Sequence, residues 1–147
     1  MIRLYREEDF EPVVQLWVDA QRVAMPALMA RENYSVEDYR RYFRNVIVAE
    51  NQIWIYELDG KPCAFLALND SYIDRLYVDP KYHRRGIGQI LLDYAKKLSP
   101  DHLWLHTHVA NSMARAFYEK NGFVAEKFGV SAPPESEPDV EYHWRKS

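Results

Sequence analysis

Between Tyr77 and Ala95 the chain reads YVDPKYHRRGIGQILLDYA, and few folds accommodate such a stretch. A β-prone run ends at Asp79-Pro80, two glycines flank Ile87, and an amphipathic segment follows until Ser99-Pro100 stops it. A strand that passes through a glycine loop straight into a helix is the first half of a βαβ unit. Its loop also gathers Lys81, Arg84 and Arg85 beside His83, in a chain whose net charge is −3. Side-chain packing does not require that cluster. The first N–H groups of a helix have no internal partner and carry a partial positive charge, and glycine lets a ligand approach them closely. Each favourable charge at such a terminus contributes about 0.3–1 kcal/mol, so phosphates flanked by Arg and Lys are held without a metal.

Two familiar phosphate loops are excluded. A Walker loop needs four residues between its glycines and then Lys and Ser/Thr, whereas here one residue separates them and Gln89 follows. A dinucleotide fingerprint needs a third glycine where Leu91 stands, and no acidic ribose partner follows at the required distance.

The rest of the chain supplies the sheet. Residues 2–5 alternate as a first strand, and residues 6–25 carry Val13, Leu16, Trp17 and Ala20 at helical spacing until Pro26 breaks the pattern. Ser35, with Asp38 three positions on, caps a second helix over residues 36–47. Residues 52–68 form a hairpin about Asp59-Gly60, and residues 72–78 a further strand. Residues 102–109 are a strand, 112–120 a helix stopped at Asn121-Gly122, and 123–130 and 140–146 closing strands. The acidic, proline-rich stretch 131–139 between them reads as an exposed loop. The order β-α-α-β-β-β-α-β-α-β-β predicts an α/β fold with a central mixed sheet flanked by helices.

At 147 residues a single domain, 1–147, is expected. A weakly acidic chain with a local basic cluster suits a small anion, not nucleic acid. The lone Cys63 cannot close an intrachain disulfide and points to a reducing, cytoplasmic setting. The longest apolar run, Cys63 to Leu68, is six residues, so neither membrane spanning nor export is expected.

LYVDPKYHRRGIGQILLDYA followed by LHTHVANSMARAFYEKNGF resembles the GNAT acetyltransferase superfamily. His83-Arg84-Arg85-Gly86-Ile87-Gly88 is similar to that family's acyl-CoA loop. Asn111, Ala114, Phe117, Tyr118, Gly122 and Phe123 match its Asn-x-x-Ala-x-x-Phe-Tyr-x-x-x-Gly-Phe segment. The element order matches as well, so the resemblance covers nearly the whole chain. It implies acetyl-CoA as co-substrate, held by the loop from His83 to Gly88 with Gln89, and by Asn111. By the same resemblance, Leu76, Tyr77 and Val78 meet the thioester and pantetheine through backbone groups, and Tyr118 lies at the sulfur. Two departures stand out. His83 replaces the usual Gln or Arg, and Tyr72 stands where the family often carries a glutamate base.

Acetyl transfer to an amine makes three demands. The ammonium must lose a proton, the oxyanion needs preorganised donors, and the departing thiolate needs an acid. A phenol near pKa 10 is protonated at neutral pH and is reasonably matched to a thiol near 8.5, which fits the role the resemblance gives Tyr118. For the base there are only candidates: Tyr72 and Asp74, on one strand face by alternation, and His106 and His108 on the next strand. No nearby Cys and no third ligand accompany the His-x-His pair, so no metal is expected. Trp17, Met25, Met29, Tyr34 and Tyr39 are the candidates for the acceptor pocket. The leading reading is an N-acetyltransferase acting on a primary amine of a small molecule, or else of a protein, by direct attack in a ternary complex. The replacement at Tyr72 keeps open a non-catalytic acyl-CoA-binding module. Monomer and homodimer both remain open.

Overall fold

Asp59 and Gly60 both adopt the left-handed conformation (φ 51° and 76°), the turn that joins two twisted strands most tightly. They link β2 (Gln52–Leu58) to β3 (Lys61–Asn69), with β1 (Ile2–Leu4) on the far side of β2. β4 (Tyr72–Val78) follows antiparallel on β3, and β5 (His102–His108) runs parallel to β4. The last strand, β7 (Pro138–Arg145), inserts between β5 and the edge strand β6 (Val124–Val130). This computed structural model describes all residues from Met1 to Ser147 and contains one seven-stranded mixed sheet. The expected α/β architecture, a mixed sheet flanked by helices, is what forms.

Each face of the sheet has its own core. α1 (Phe10–Ala24) lays Val13, Val14, Leu16 and Trp17 on Ile53, Ile55, Phe65 and Ala67. α3 (Val36–Tyr42) runs through a π-helical turn, Phe43–Ile47, into α4 (Val48–Glu50), and adds Tyr39, Phe43 and Ile47 to that core. On the opposite face α5 (Ile87–Leu98) and α6 (Ser112–Lys120) bring Ile87, Leu91, Leu92 and Tyr118 onto Leu66, Ile73, Leu103 and Leu105.

Two expectations need correction. Pro26 does end α1, but it also starts a further helix, α2 (Pro26–Glu32), from its first position. There its missing N–H costs nothing. Asn33, left-handed at φ 52°, ends that helix, and Ser35 with Asp38 then forms a complete capping box for α3. The stretch 131–139 is not a free loop throughout, because Pro138 and Asp139 already belong to β7.

One ion pair ties the sheet edge to α1. Arg3 places NH1 and NH2 each 2.8 Å from the two oxygens of Asp9, and its Nε also meets Glu57. The Asp9 side chain is only 4% exposed and also accepts from the Arg6 N–H at 2.8 Å. Burial alone would raise the Asp9 pKa, but the Arg3 fork and the Arg6 N–H outweigh it and hold the carboxyl below its usual range. A depressed folded-state pKa supplies stability that is complete at neutral pH and is lost as pH falls below about 4. Asp9→Ala is expected to cost about 2 kcal/mol at pH 7, since it removes two charged hydrogen bonds and leaves a mostly buried guanidinium with Glu57 alone. Urea unfolding at pH 7 and pH 3 checks this: the wild-type advantage should shrink at the lower pH.

Candidate active site

β4 and β5 register at a single pair, Tyr72 with Trp104, where the Trp104 N–H reaches Ser71 O at 3.0 Å. Beyond that pair the strands part, and the backbone of β4 facing β5 has no strand partner. A bulge accompanies the opening. Ala67 faces Arg75 while Leu68 faces Ile73, which leaves Asp74 as the extra residue. Strict alternation therefore fails across Asp74: Ile73 and Leu76 pack into the α5–α6 core, while Tyr77 packs on the α1 side.

Two clefts meet at the opening. One, of about 360 Å³, is lined by Leu76, Tyr77, Val78, His83, Arg84, Gly86, Ile87, Gly88 and Gln89, with Asn111 and Tyr118 at its inner end. Gly86 is left-handed (φ 77°) at the start of α5, where no side chain caps the helix, and a Cβ there would point into open space. The early N–H groups of α5 are thus presented to the cleft. Gly88 lies close under Phe117 and Val78, each 3.6 Å from where its Cβ would be, so the loop floor is packed. His83 Nε2 donates to Val78 O at 3.1 Å and ties the loop back to β4. Arg84 is exposed in the cleft, and Lys120 adds a second cation. Arg85 does not line the cleft; its guanidinium lies 5.3 Å over the Tyr82 ring. The Gln89 amide is spent on Asp93 and Asn121. An elongated ligand with an anionic end fits these donors.

The second cleft, about 560 Å³, opens on the other side of Leu76, Tyr77, Asn111, Ala114 and Tyr118, which both clefts share. Trp17, Met25, Met29, Tyr34 and Tyr39 all line it, joined by Tyr42 and Tyr72. Glu32, Asp38, Asp74, Glu135 and Asp139 surround this aromatic wall, with Arg75 as the lone arginine or lysine lining it. Glu32 is pushed up from its usual carboxylate range by burial and by the nearby Glu135 charge. Ser131 to Glu135 line one side of the cleft, and nearby in sequence Glu137 pairs with Arg31 of α2. Sequence reasoning missed this wall; its acidic residues and prolines marked it as an exposed loop.

The candidate catalytic side chains differ in their freedom. Tyr118 is almost wholly buried, packed edge-on between Phe117 and Phe123 at centroid distances of 5.1 and 5.2 Å. Burial, with a smaller contribution from Tyr77, pushes its phenol well above the ordinary value, so it holds its proton at neutral pH. Asn111 caps α6 by accepting the Ala114 N–H at 3.1 Å. Asp74 is engaged: one oxygen accepts from Asn51 Nδ2 at 2.7 Å, and the other lies 3.9 Å from Arg75. Tyr72 packs on Trp104 with ring centroids 4.5 Å apart and planes tilted by 59°, and bonds His106 Nδ1 at 3.0 Å. His108 is partly buried with its Nδ1 unpartnered, and burial lowers its pKa.

Comparison with known proteins gives the class of protein to which this pair of clefts belongs. Residues 5–123 match the model of the Acetyltransferase (GNAT) family. The peptidyl-lysine N-acetyltransferase YiaC of Escherichia coli strain K12 is 32% identical over 124 residues, which is 84% of this chain and 82% of that protein. The solution structure of the apo form of YjaB from Escherichia coli superposes with a TM-score of 0.77 at 23% identity, covering 100% of this chain and 98% of that one. The PaiA N-acetyltransferase of Thermoplasma acidophilum, in complex with coenzyme A, gives 0.74 at 23% identity, covering 99% and 98%. The chain belongs to the GNAT acetyltransferase family. It is an N-acetyltransferase with acetyl-CoA as co-substrate, and the reading as a non-catalytic binding module is set aside. No helix is long and apolar enough to cross a membrane.

Acetyl-CoA is expected to raise the melting temperature of the wild-type protein, and Gly86→Val to abolish that shift. Valine at φ 77° is strained and fills the space left beside the loop. Arg85→Ala, outside the cleft, should keep most of the shift. Thermal-shift titration reads all three; an undiminished shift in Gly86→Val contradicts the loop as the binding site.

Proposed function

We propose that the chain transfers the acetyl group of acetyl-CoA directly to the primary amine of a small cationic molecule, within a ternary complex. The observation that carries this reading is the meeting of two clefts of opposite character at Tyr118. The basic, glycine-lined cleft takes the co-substrate. The aromatic, carboxylate-rich cleft suits an alkylammonium, whose charge is attracted both to the acids and to aromatic faces. The wall contributed by residues 131–135 narrows the cleft, as a small free molecule requires.

The roles follow from the surroundings. The β4 backbone at Leu76 and Val78 offers donors to the thioester oxygen. Tyr118 retains its proton because it is buried and delivers it to the departing thiolate. Tyr72 stands at the amine. Asp74, already committed to Asn51 and Arg75, orients the bulge and does not itself take the proton. A second reading, a lysine side chain of a peptide as acceptor, is favoured by the named activity of YiaC. Both acceptors present the same alkylammonium. Mass-spectrometric assay against a panel of free polyamines, aminated small molecules and lysine peptides separates them.

Tyr118→Phe keeps the ring and removes the donor. It should retain acetyl-CoA affinity within a few-fold and lose turnover by about 10²-fold or more, the range for a lost general acid. Paired measurements of Kd by calorimetry and of kcat across pH test this. An unchanged kcat would make Tyr118 a packing residue only.

A further inference from the structure

A run of polar side chains leads out of the acceptor cleft. The Tyr72 hydroxyl lies 3.0 Å from Nδ1 of His106, and Nε2 of the same ring lies 3.3 Å from Oε1 of Glu141. The other Glu141 oxygen accepts from Nε2 of His143 at 2.7 Å. Sheet register produces the alignment: Tyr72 sits opposite Trp104 across β4–β5, and His106 sits opposite Glu141 across β5–β7. Trp104 packs against Tyr72 and lies parallel to the His143 ring at 5.7 Å, which fixes both ends of the run.

The neighbours dictate the proton positions. Glu141 is held below its usual carboxylate range, chiefly by the His143 hydrogen bond, and is therefore an acceptor. One of its oxygens lies 3.3 Å from Nε2 of His106, and its negative charge favours the tautomer protonated there, which leaves Nδ1 with a lone pair. Tyr72 then donates its O–H to Nδ1 and keeps its own oxygen lone pairs for a donor in the cleft. Burial pushes the Tyr72 phenol up to about 12, so it cannot rest as phenolate at neutral pH. It can only pass one proton on while receiving another.

We propose that Tyr72 and His106, oriented by Glu141, relay the proton from the acceptor ammonium to solvent, in place of a carboxylate base. This inference rests on the acetyltransferase reading above. The ammonium N–H passes to Tyr72 Oη as the Tyr72 proton passes to His106 Nδ1, and the imidazolium is stabilised by Glu141. The freed nitrogen lone pair forms the C–N bond to the acetyl carbon, and the C–S bond breaks as the tetrahedral adduct collapses. The thiolate takes the Tyr118 proton, and the surplus proton on the new amide nitrogen restores Tyr118. One proton remains on His106, whose side chain is 39% exposed and releases it to water. Glu141 acts through His106 and is a positioning residue. The other charged groups around the relay are Asp74 and Arg75 on β4, His108 on β5, Asp139 and His143 on β7, and Lys127 on β6 opposite Glu141.

The test compares wild type, Tyr72→Phe, His106→Ala and Glu141→Gln. Wild-type kcat/KM should fall on the acid side as His106 becomes protonated. His106→Ala should lose that inflection and drop by about 10²-fold at pH 7.5, with acetyl-CoA Kd within twofold and partial rescue by added imidazole. Tyr72→Phe should show a similar drop without rescue, and Glu141→Gln a smaller drop with a displaced inflection. Retention of the wild-type profile in His106→Ala, or a loss that imidazole does not repair, overturns the relay. Nitrogen NMR of the His106 ring gives a readout free of turnover. The neutral ring should carry its proton on Nε2. An Nδ1–H tautomer overturns the relay whether or not any amine is acetylated. An Nε2–H tautomer in a protein that acetylates no amine overturns the acceptor reading instead.

Discussion

A parallel strand pair that lets go after one residue pair governs this molecule. Tyr72 and Trp104 clamp β4 to β5 through a backbone bond and an aromatic contact, and the bulge at Asp74 turns β4 away immediately afterwards. Backbone polar groups in a sheet interior must find partners, so the parted strands demand a ligand with polar groups along its length. The glycine-led α5 meets that demand from one side and the Asn111-capped α6 from the other. Each of these elements presupposes the gap.

The same gap separates two electrostatic environments in a chain of modest net charge. Arg84, Lys120 and the open start of α5 face one mouth, while Glu32, Asp38, Glu135 and Asp139 face the other. Fields of opposite sign in narrow, low-dielectric clefts concentrate different ions at each mouth. The neutral, buried ring of Tyr118 stands at the boundary.

Much of this was legible in the residues themselves. Asp59-Gly60, Ser35 with Asp38, and the strand-loop-helix at Gly86 are local signals whose physics is complete within a few positions. The aromatic cluster of Trp17, Met25, Met29, Tyr34 and Tyr39 does converge on one cleft. What stayed hidden depends on register. Nothing near Asp74 announces a bulge, because an aspartate in an otherwise alternating strand reads the same with or without one. His106 opposite Glu141 requires knowing that β7, and not β6, pairs with β5. Pro26 concealed a helix, since the residue that ends one helix also suits the first position of another. Arg85, similar to its neighbours in sequence, turned to the Tyr82 ring and out of the cleft.

The insertion of β7 between β5 and β6 sets a timetable for synthesis. β2, β3 and β4 are joined by short turns and can pair as they leave the ribosome, closing on β1 across the helices between. β5 and β6 instead wait for residues 138–145, which are translated after both. Until then one edge of β5 and both edges of β6 are unpaired, and Val124, Phe128 and Val130 of β6 stay exposed even in the finished fold. Non-local pairing of this kind is slow to form and leaves sticky edges while it does. A nascent chain of this design therefore keeps those strand edges open until residues 138–145 have emerged.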